Sequence, residues 1–215
     1  MTPKTTRRAL IDGPVGPLEV VANVPDAAPS GLALVAHPLP THGGSLDNKV
    51  VQTLAKTFFA LGHVSVRFNF RGVGQSAGAF DEGIGETEDA MAALAYARSE
   101  FGESLPLVLA GFSFGTYVQT RVAQRATPRR MVLVGPAVKR FAVGNVPADT
   151  IVIHGEEDEV VPLADVFAWA RPQALPVVVF PGCGHFFHGR LLQLQALITG
   201  MWHSGGRSHA RLPGA

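Results

Sequence analysis

Apolar residues along this chain come in short β-branched runs separated by longer stretches in which they recur every three or four positions. That is the pattern of strands alternating with crossover helices. Residues 18–24 predict an opening strand and residues 31–36, Gly-Leu-Ala-Leu-Val-Ala, a buried one. Val50, Val51, Leu54, Phe58 and Leu61 then repeat at helical spacing, between Asp47 as a candidate N-cap and Gly62 as a stop. A strand is expected at 64–70 and a helix at 86–101, closed by Gly102. The acids in the first turn of that helix, Glu86, Glu88 and Asp89, suit the positive end of its dipole. Further strands are expected at 107–110, 131–134, 150–154 and 177–180. Helices are expected between them at 114–125 and 163–170, and after the last strand at 189–201. The whole predicts an α/β fold: a doubly wound, mostly parallel β-sheet flanked by helices on both faces.

With 215 residues, 47% of them hydrophobic, the chain can bury a substantial core and fits one domain. That domain is expected over residues 9–202, with 1–8 and 203–215 as flexible ends. The stretch between the strands at 131–134 and 150–154 is too short for an inserted helical cap domain, so the site should be open.

Eighteen basic against seventeen acidic residues give a net charge of +1 with no long run of one sign. Nothing in that balance points to a nucleic acid or a membrane surface as partner. Asp12, Gly13, Pro14 and Pro17 interrupt the apolar h-region that an export signal needs, and no apolar run approaches the ~20 residues of a membrane span. The single cysteine, Cys183, excludes an intrachain disulfide and fits a reducing compartment. The expectation is a cytoplasmic monomer or homodimer.

The chemistry concentrates in three loops. Gly111-Phe112-Ser113-Phe114-Gly115 follows a predicted strand and precedes a predicted helix, the context that turns G-x-S-x-G into a nucleophile elbow. A chain reversing from strand to helix in so few residues needs small neighbours around a strained serine. A serine hydroxyl also needs a base to take its proton and an acid to steady that base. In this architecture both lie in loops at the carboxyl ends of later strands, acid first. The strand at 150–154 runs into Gly155-Glu156-Glu157-Asp158-Glu159-Val160-Val161-Pro162, where Asp158 is the candidate acid and the glutamates are solvated loop residues. His154 belongs to the strand end. The strand at 177–180 runs into Pro181-Gly182-Cys183-Gly184-His185-Phe186-Phe187-His188, where His185 is preferred to His188 as base. Cys183 lies off any elbow and reads as a packed turn residue.

An oxyanion needs backbone donors. One is the N–H of Phe114, just after the nucleophile; the other should come from His37-Pro38-Leu39-Pro40-Thr41-His42-Gly43-Gly44. Pro38 and Pro40 have no N–H, and Leu39, held between two rings, is the candidate.

On these residues the chain resembles the α/β-hydrolase superfamily, in particular a compact, capless, dienelactone-hydrolase-like bacterial group, from about Leu18 to Met201. The resemblance is carried by His37, Pro38, Pro40, Gly43, Gly44 and Asp47-Asn48-Lys49, by Arg67 to Gly74, by the elbow, by His154-Gly155 through Asp158 to Val161-Pro162, and by His185 to Arg190. Leu39, Thr41 and His42 depart from the group's pattern. The resemblance implies a Ser113–Asp158–His185 triad and carboxylesterase activity on a small-molecule ester. Dienelactone hydrolases usually carry cysteine at the nucleophile, so Ser113 argues against that reaction. Amide or peptide hydrolysis by the same triad, and a non-catalytic binding module on the same fold, are the alternatives. His42, Phe70, Phe112 and Phe186 are candidates for the substrate-facing mouth.

No cofactor or metal is expected. Gly72-x-Gly74-x-x-x-Gly78 misses the G-x-G-x-x-G spacing of a dinucleotide loop. The eight histidines are scattered without a close ligand pair.

Overall fold

The computed structural model describes residues 5–204; residues 1–4 and 205–215, parts of the two stretches expected to be flexible, lie outside the described residues. The strands are β1 (Thr5–Gly13), β2 (Gly16–Val24), β3 (Gly31–Ala36), β4 (His63–Phe68), β5 (Leu107–Phe112), β6 (Arg130–Val134), β7 (Ile151–Gly155) and β8 (Val177–Phe180). The helices are α1 (Lys49–Ala60), α2 (Ile84–Phe101), α3 (Phe114–Ala123), α4 (Leu163–Ala170) and α5 (Leu191–Ser204). The strands form one sheet in the order β1-β2-β4-β3-β5-β6-β7-β8. β1 and β2 run antiparallel to their neighbours, and every pairing from β4 onward is parallel.

The period of two along each strand divides the core into layers. Leu32 and Leu34 of β3, Leu109 of β5 and Leu133 of β6 face α2 and α3, packing with Leu94 and Val118. Ala33 and Val35, Val108 and Ala110, and Val132 and Val134 point to the other face, against Leu54 and Phe58 of α1 and Leu194 and Ile198 of α5. Both faces of the central strands are covered, which is why those segments read as unbroken apolar runs. Removing such a fully buried Leu or Phe side chain from water stabilises the fold by roughly 1.5–3 kcal/mol.

The structure corrects the expected N-terminus. Residues 5–8 are not a loose end but the first half of β1, paired with β2 from Thr5 opposite Val24 to Gly13 opposite Gly16. β1 is an edge strand, mostly exposed, and only Ala9 and Ile11 pack on the core, so its sequence carries little apolar signal. His203 likewise belongs to α5 and not to a tail.

Two helix starts also differ from expectation. Asn48, not Asp47, caps α1, its side-chain oxygen accepting from the Val50 and Val51 N–H groups. Asp47 sits 3.6 Å from Arg67 instead. In α2, Glu86 lies in the first turn as expected, but it and Asp89 are buried acceptors with fixed partners. Glu86 accepts from the N–H groups of Asp81 and Gly83, each at 2.8 Å. Asp89 holds the guanidinium of Arg71. Only Glu88 is exposed, paired with Arg125.

The 135–150 connection after β6 contains turns but no helix, so no lid covers the carboxyl ends of the strands. Among the described residues, no helix is long and apolar enough to cross a membrane.

Candidate active site

β5 ends at Phe112 and α3 begins at Phe114, leaving Ser113 alone to make the reversal, with φ 53° and ψ −121°. A non-glycine residue at positive φ is strained and needs a surround that over-determines it. The two glycines of the motif provide that surround. A Cβ on Gly111 would lie 2.6 Å from the Gly115 carbonyl, and one on Gly115 would lie 2.4 Å from the Ala36 carbonyl oxygen. Hydrogen bonds fix the rest: the Ser113 N–H donates to the Val134 carbonyl at 2.9 Å, and the Thr116 hydroxyl donates to the Ser113 carbonyl at 2.6 Å.

The structure brings Ser113, His185 and Asp158 together across 72 and 27 residues of sequence. His185 Nε2 lies 3.0 Å from Ser113 Oγ and His185 Nδ1 lies 2.6 Å from Asp158 Oδ2. An ionised carboxylate only accepts, so Nδ1 carries the ring proton and Nε2 presents its lone pair to the serine hydroxyl. All three residues are under 10% exposed. Burial works to raise the carboxyl pKa of Asp158, but hydrogen bonds from His185 and the Val161 N–H outweigh it and hold the group below its ordinary value. Asp158 Oδ1 accepts from Val160 and Val161 at 2.9 and 2.7 Å, so the turn that carries the acid also saturates it.

His154 stands behind the acid, its Nε2 2.9 Å from the Val161 carbonyl and 3.4 Å from Asp158 Oδ2. Burial pushes its pKa down and keeps it neutral. The ring of Phe112 packs under His185 at 4.9 Å, and Phe186 meets it edge-on at 5.1 Å. His188 is exposed beside Phe186. Cys183 is buried, its thiol directed to the Gly184 carbonyl.

The loop after β3 is tied down by His37, whose part the sequence reading did not find. His37 Nε2 accepts from the Phe70 N–H at 3.0 Å, so the proton sits on Nδ1, which donates to the Pro38 carbonyl at 2.6 Å. Complete burial pushes the pKa of this imidazole down to about 3 and holds that tautomer neutral. The signal available in the sequence was the His-Pro pair at the end of a wholly buried strand. Leu39 follows with φ −53° and ψ 121°, the extended form that a residue before proline favours. The His42 and Gly44 N–H groups donate to its carbonyl, and a Cβ on Gly44 would sit 2.0 Å from the Pro38 oxygen.

A cavity of about 510 Å³ opens over Ser113. Leu39, His42, Phe114 and Phe186 line it, as do Lys139, Arg140 and Phe141 from the connection after β6, which sequence reasoning missed. Phe70 and Phe112 do not line it. Both are fully buried, Phe70 against His37, Phe68 and Phe114, and Phe112 beneath His185. Among the described residues, no group of three or more His, Cys, Asp or Glu side chains is placed to hold a metal ion.

Comparison with known proteins bears on this arrangement directly. The family model described as serine aminopeptidase, S33, matches residues 38–146, which run from the loop after β3 through the elbow to the connection after β6. The chain belongs to this family of α/β serine hydrolases. An α/β serine hydrolase homologue from Coxiella burnetii is 42% identical, with a TM-score of 0.84 over 90% of this chain and 96% of that one. A serine hydrolase without lid from Xanthomonas campestris is 37% identical, with a TM-score of 0.88 over 100% and 99% of the two chains. An uncharacterized protein of Rickettsia prowazekii is 33% identical over 165 residues, 72% of this chain and 68% of that protein. Within the superfamily this hydrolase falls in the capless, dienelactone-hydrolase-like group.

Proposed function

We propose that this α/β serine hydrolase is a carboxylic ester hydrolase, with Ser113 as nucleophile, His185 as general base and acid, and Asp158 as the group that orients and steadies the imidazolium. The observation that carries the reading is the hydrogen-bonded chain from Asp158 through His185 to Ser113, ending at an uncapped cavity. Ser113 Oγ attacks the ester carbonyl as its proton passes to His185 Nε2. The tetrahedral oxyanion is received by the backbone N–H groups of Phe114 and Leu39, and each such donor contributes about 3 kcal/mol. The alcohol leaves with the proton from His185, and water activated by the same nitrogen then releases the acid and restores the serine.

An amide substrate demands more from the acid step, because the amine must be protonated as it leaves. The family's name, serine aminopeptidase, makes this the second reading. Against it stands the cavity lining: recognition of a free α-ammonium calls for a carboxylate, and among the described residues the lining holds none.

Labelling with a fluorophosphonate probe tests the nucleophile, and adduct formation at Ser113 is the expected outcome. Folded protein that stays unlabelled there refutes the hydrolase mechanism. A chain-length series of p-nitrophenyl esters beside the matched anilides then separates the two readings, with faster ester turnover expected.

A further inference from the structure

The chain carries a net charge of +1 over 215 residues, yet its charges are unevenly placed around the nucleophile. Lys139 and Arg140 both line the cavity over Ser113, and among the described residues no carboxylate does. Both side chains are exposed. Neither has an acidic partner among the described residues, whereas Arg7, Arg8, Arg67, Arg71 and Arg125 all do. Asp158, the acid bonded to His185, lies behind the imidazole with its oxygens occupied by His185 and two backbone N–H groups.

The backbone that presents these cations is anchored. The Ala137 N–H donates to Thr116 Oγ1 at 3.2 Å, Trp169 Nε1 donates to the Val143 carbonyl at 3.0 Å, and the Val146 N–H donates to Gln173 Oε1 at 3.0 Å. Phe141 is stacked on Tyr117 at 5.0 Å, with the Arg140 guanidinium 5.5 Å from its ring. A fixed stem with unpaired cationic tips beside an apolar wall suits a substrate that is apolar at the ester and anionic at a short distance from it.

We propose that Lys139 and Arg140 form an anion subsite, and that the substrate class is esters bearing a second, free carboxylate, such as monoesters of short dicarboxylic acids. The cations attract and orient the anionic end while Ser113 attacks the ester carbonyl. This rests on the esterase reading above and narrows it. It also sets the site against substrates with a free ammonium group.

The test compares p-nitrophenyl hydrogen glutarate with p-nitrophenyl valerate, similar in length and different in charge. In wild type, kcat/KM for the anionic ester should exceed that for the neutral one at low salt. The advantage should collapse in 1 M salt, where the Debye length shrinks to about 3 Å. In the double variant K139Q/R140Q the anionic-to-neutral ratio should fall about tenfold, the scale of two partly exposed ion pairs. K56Q/R129Q removes the same net charge at exposed positions outside the cavity and should keep the ratio. Calorimetric titration with glutarate reads the subsite without turnover, and binding should be lost in K139Q/R140Q. A wild-type ratio no higher than that of K139Q/R140Q, or no glutarate binding to wild type, overturns the anion subsite. If valerate turnover and probe labelling persist in that case, the esterase reading survives; if Ser113 is neither labelled nor active, that reading falls, and the titration still decides the subsite.

Discussion

The cluster around Glu19 and Arg71 and the chain from Asp158 to Ser113 are built from the same materials: charged groups taken out of water and tied by short hydrogen bonds. Glu19 is buried, with Arg8 at 2.6 Å, Asn69 Nδ2 at 2.8 Å and the Gln75 N–H at 3.0 Å. Arg71 forks onto Asp89 through Nε and Nη2, and the Arg71 N–H adds a third donor at 2.9 Å. A Cβ on Gly85 would lie 1.9 Å from that guanidinium, so the helix itself is shaped around it. In this cluster every charged group is partnered, with Arg8 at its exposed rim, and it holds the loop after β4 to α2. The other chain is saturated only at its acid; its far end is a hydroxyl whose partner is one imidazole nitrogen and which faces an open cavity. Closure makes a polar cluster a source of rigidity, and one open, pre-aligned end makes it available for chemistry.

Substitutions at the open end should have the largest effect. Ser113→Ala is expected to lower kcat on the order of a million-fold, measured on a p-nitrophenyl ester, while the urea unfolding midpoint moves little. Asp158→Asn should cost about ten-thousand-fold, because an amide in place of the carboxylate favours the wrong imidazole tautomer. Undiminished turnover in either variant would remove the distinction between the two clusters. At the closed end the effect should pass to stability. Asp89→Asn leaves Arg71 buried and without its principal counter-charge, and should lower the free energy of unfolding by about 3 kcal/mol in urea titrations. Its turnover per folded molecule should stay far above that of Asp158→Asn; a comparable collapse would show the closed cluster to be part of the chemistry.

The smallest predicted effect concerns the buried imidazoles outside the triad. The folded-state pKa of His37 lies near 3, below the roughly 6.5 of an unfolded chain. The unfolded state therefore binds more protons in this window. The stabilisation is complete above about pH 6.5 and is lost as pH falls toward 3. For His37 alone the loss between pH 7 and pH 5 is about 2 kcal/mol, and His63 and His154, both lowered chiefly by burial, act with the same sign. Urea midpoints at the two pH values measure it, and His37→Gln should show the shallower dependence. Equal stability of the wild type at pH 5 and pH 7 would contradict the neutral, buried state of these rings.

The motif-bearing loops were legible in the sequence because each obeys a local constraint. An elbow needs glycine on both sides of Ser113, and here each glycine faces a carbonyl that leaves no room for a Cβ. The positions of Asp158 and His185 followed from the order of strands, since each lies in the loop that leaves a strand at the sheet's carboxyl edge. β1 was not legible, because an exposed edge strand shows little apolar alternation. Asp89 was legible as a helix-start residue but not as the partner of Arg71, because nothing local in the chain marks which arginine will be buried beside it. Phe70 and Phe112 were placed at the mouth because aromatic residues beside a nucleophile can line a pocket or support it, and only packing distinguishes the two.

By itself, then, the sequence determined the alternation of strands and helices and the elbow, properties of spacing over a few residues, and through the succession of strands the order of the catalytic candidates. Tertiary structure alone decided the tautomer and neutrality of His37, the pairing of Arg71 with Asp89 and the gathering of Lys139 and Arg140 over Ser113. Those depend on which distant groups share a volume from which water is partly or wholly excluded, and that is fixed only when the sheet has closed its order and its helices have packed.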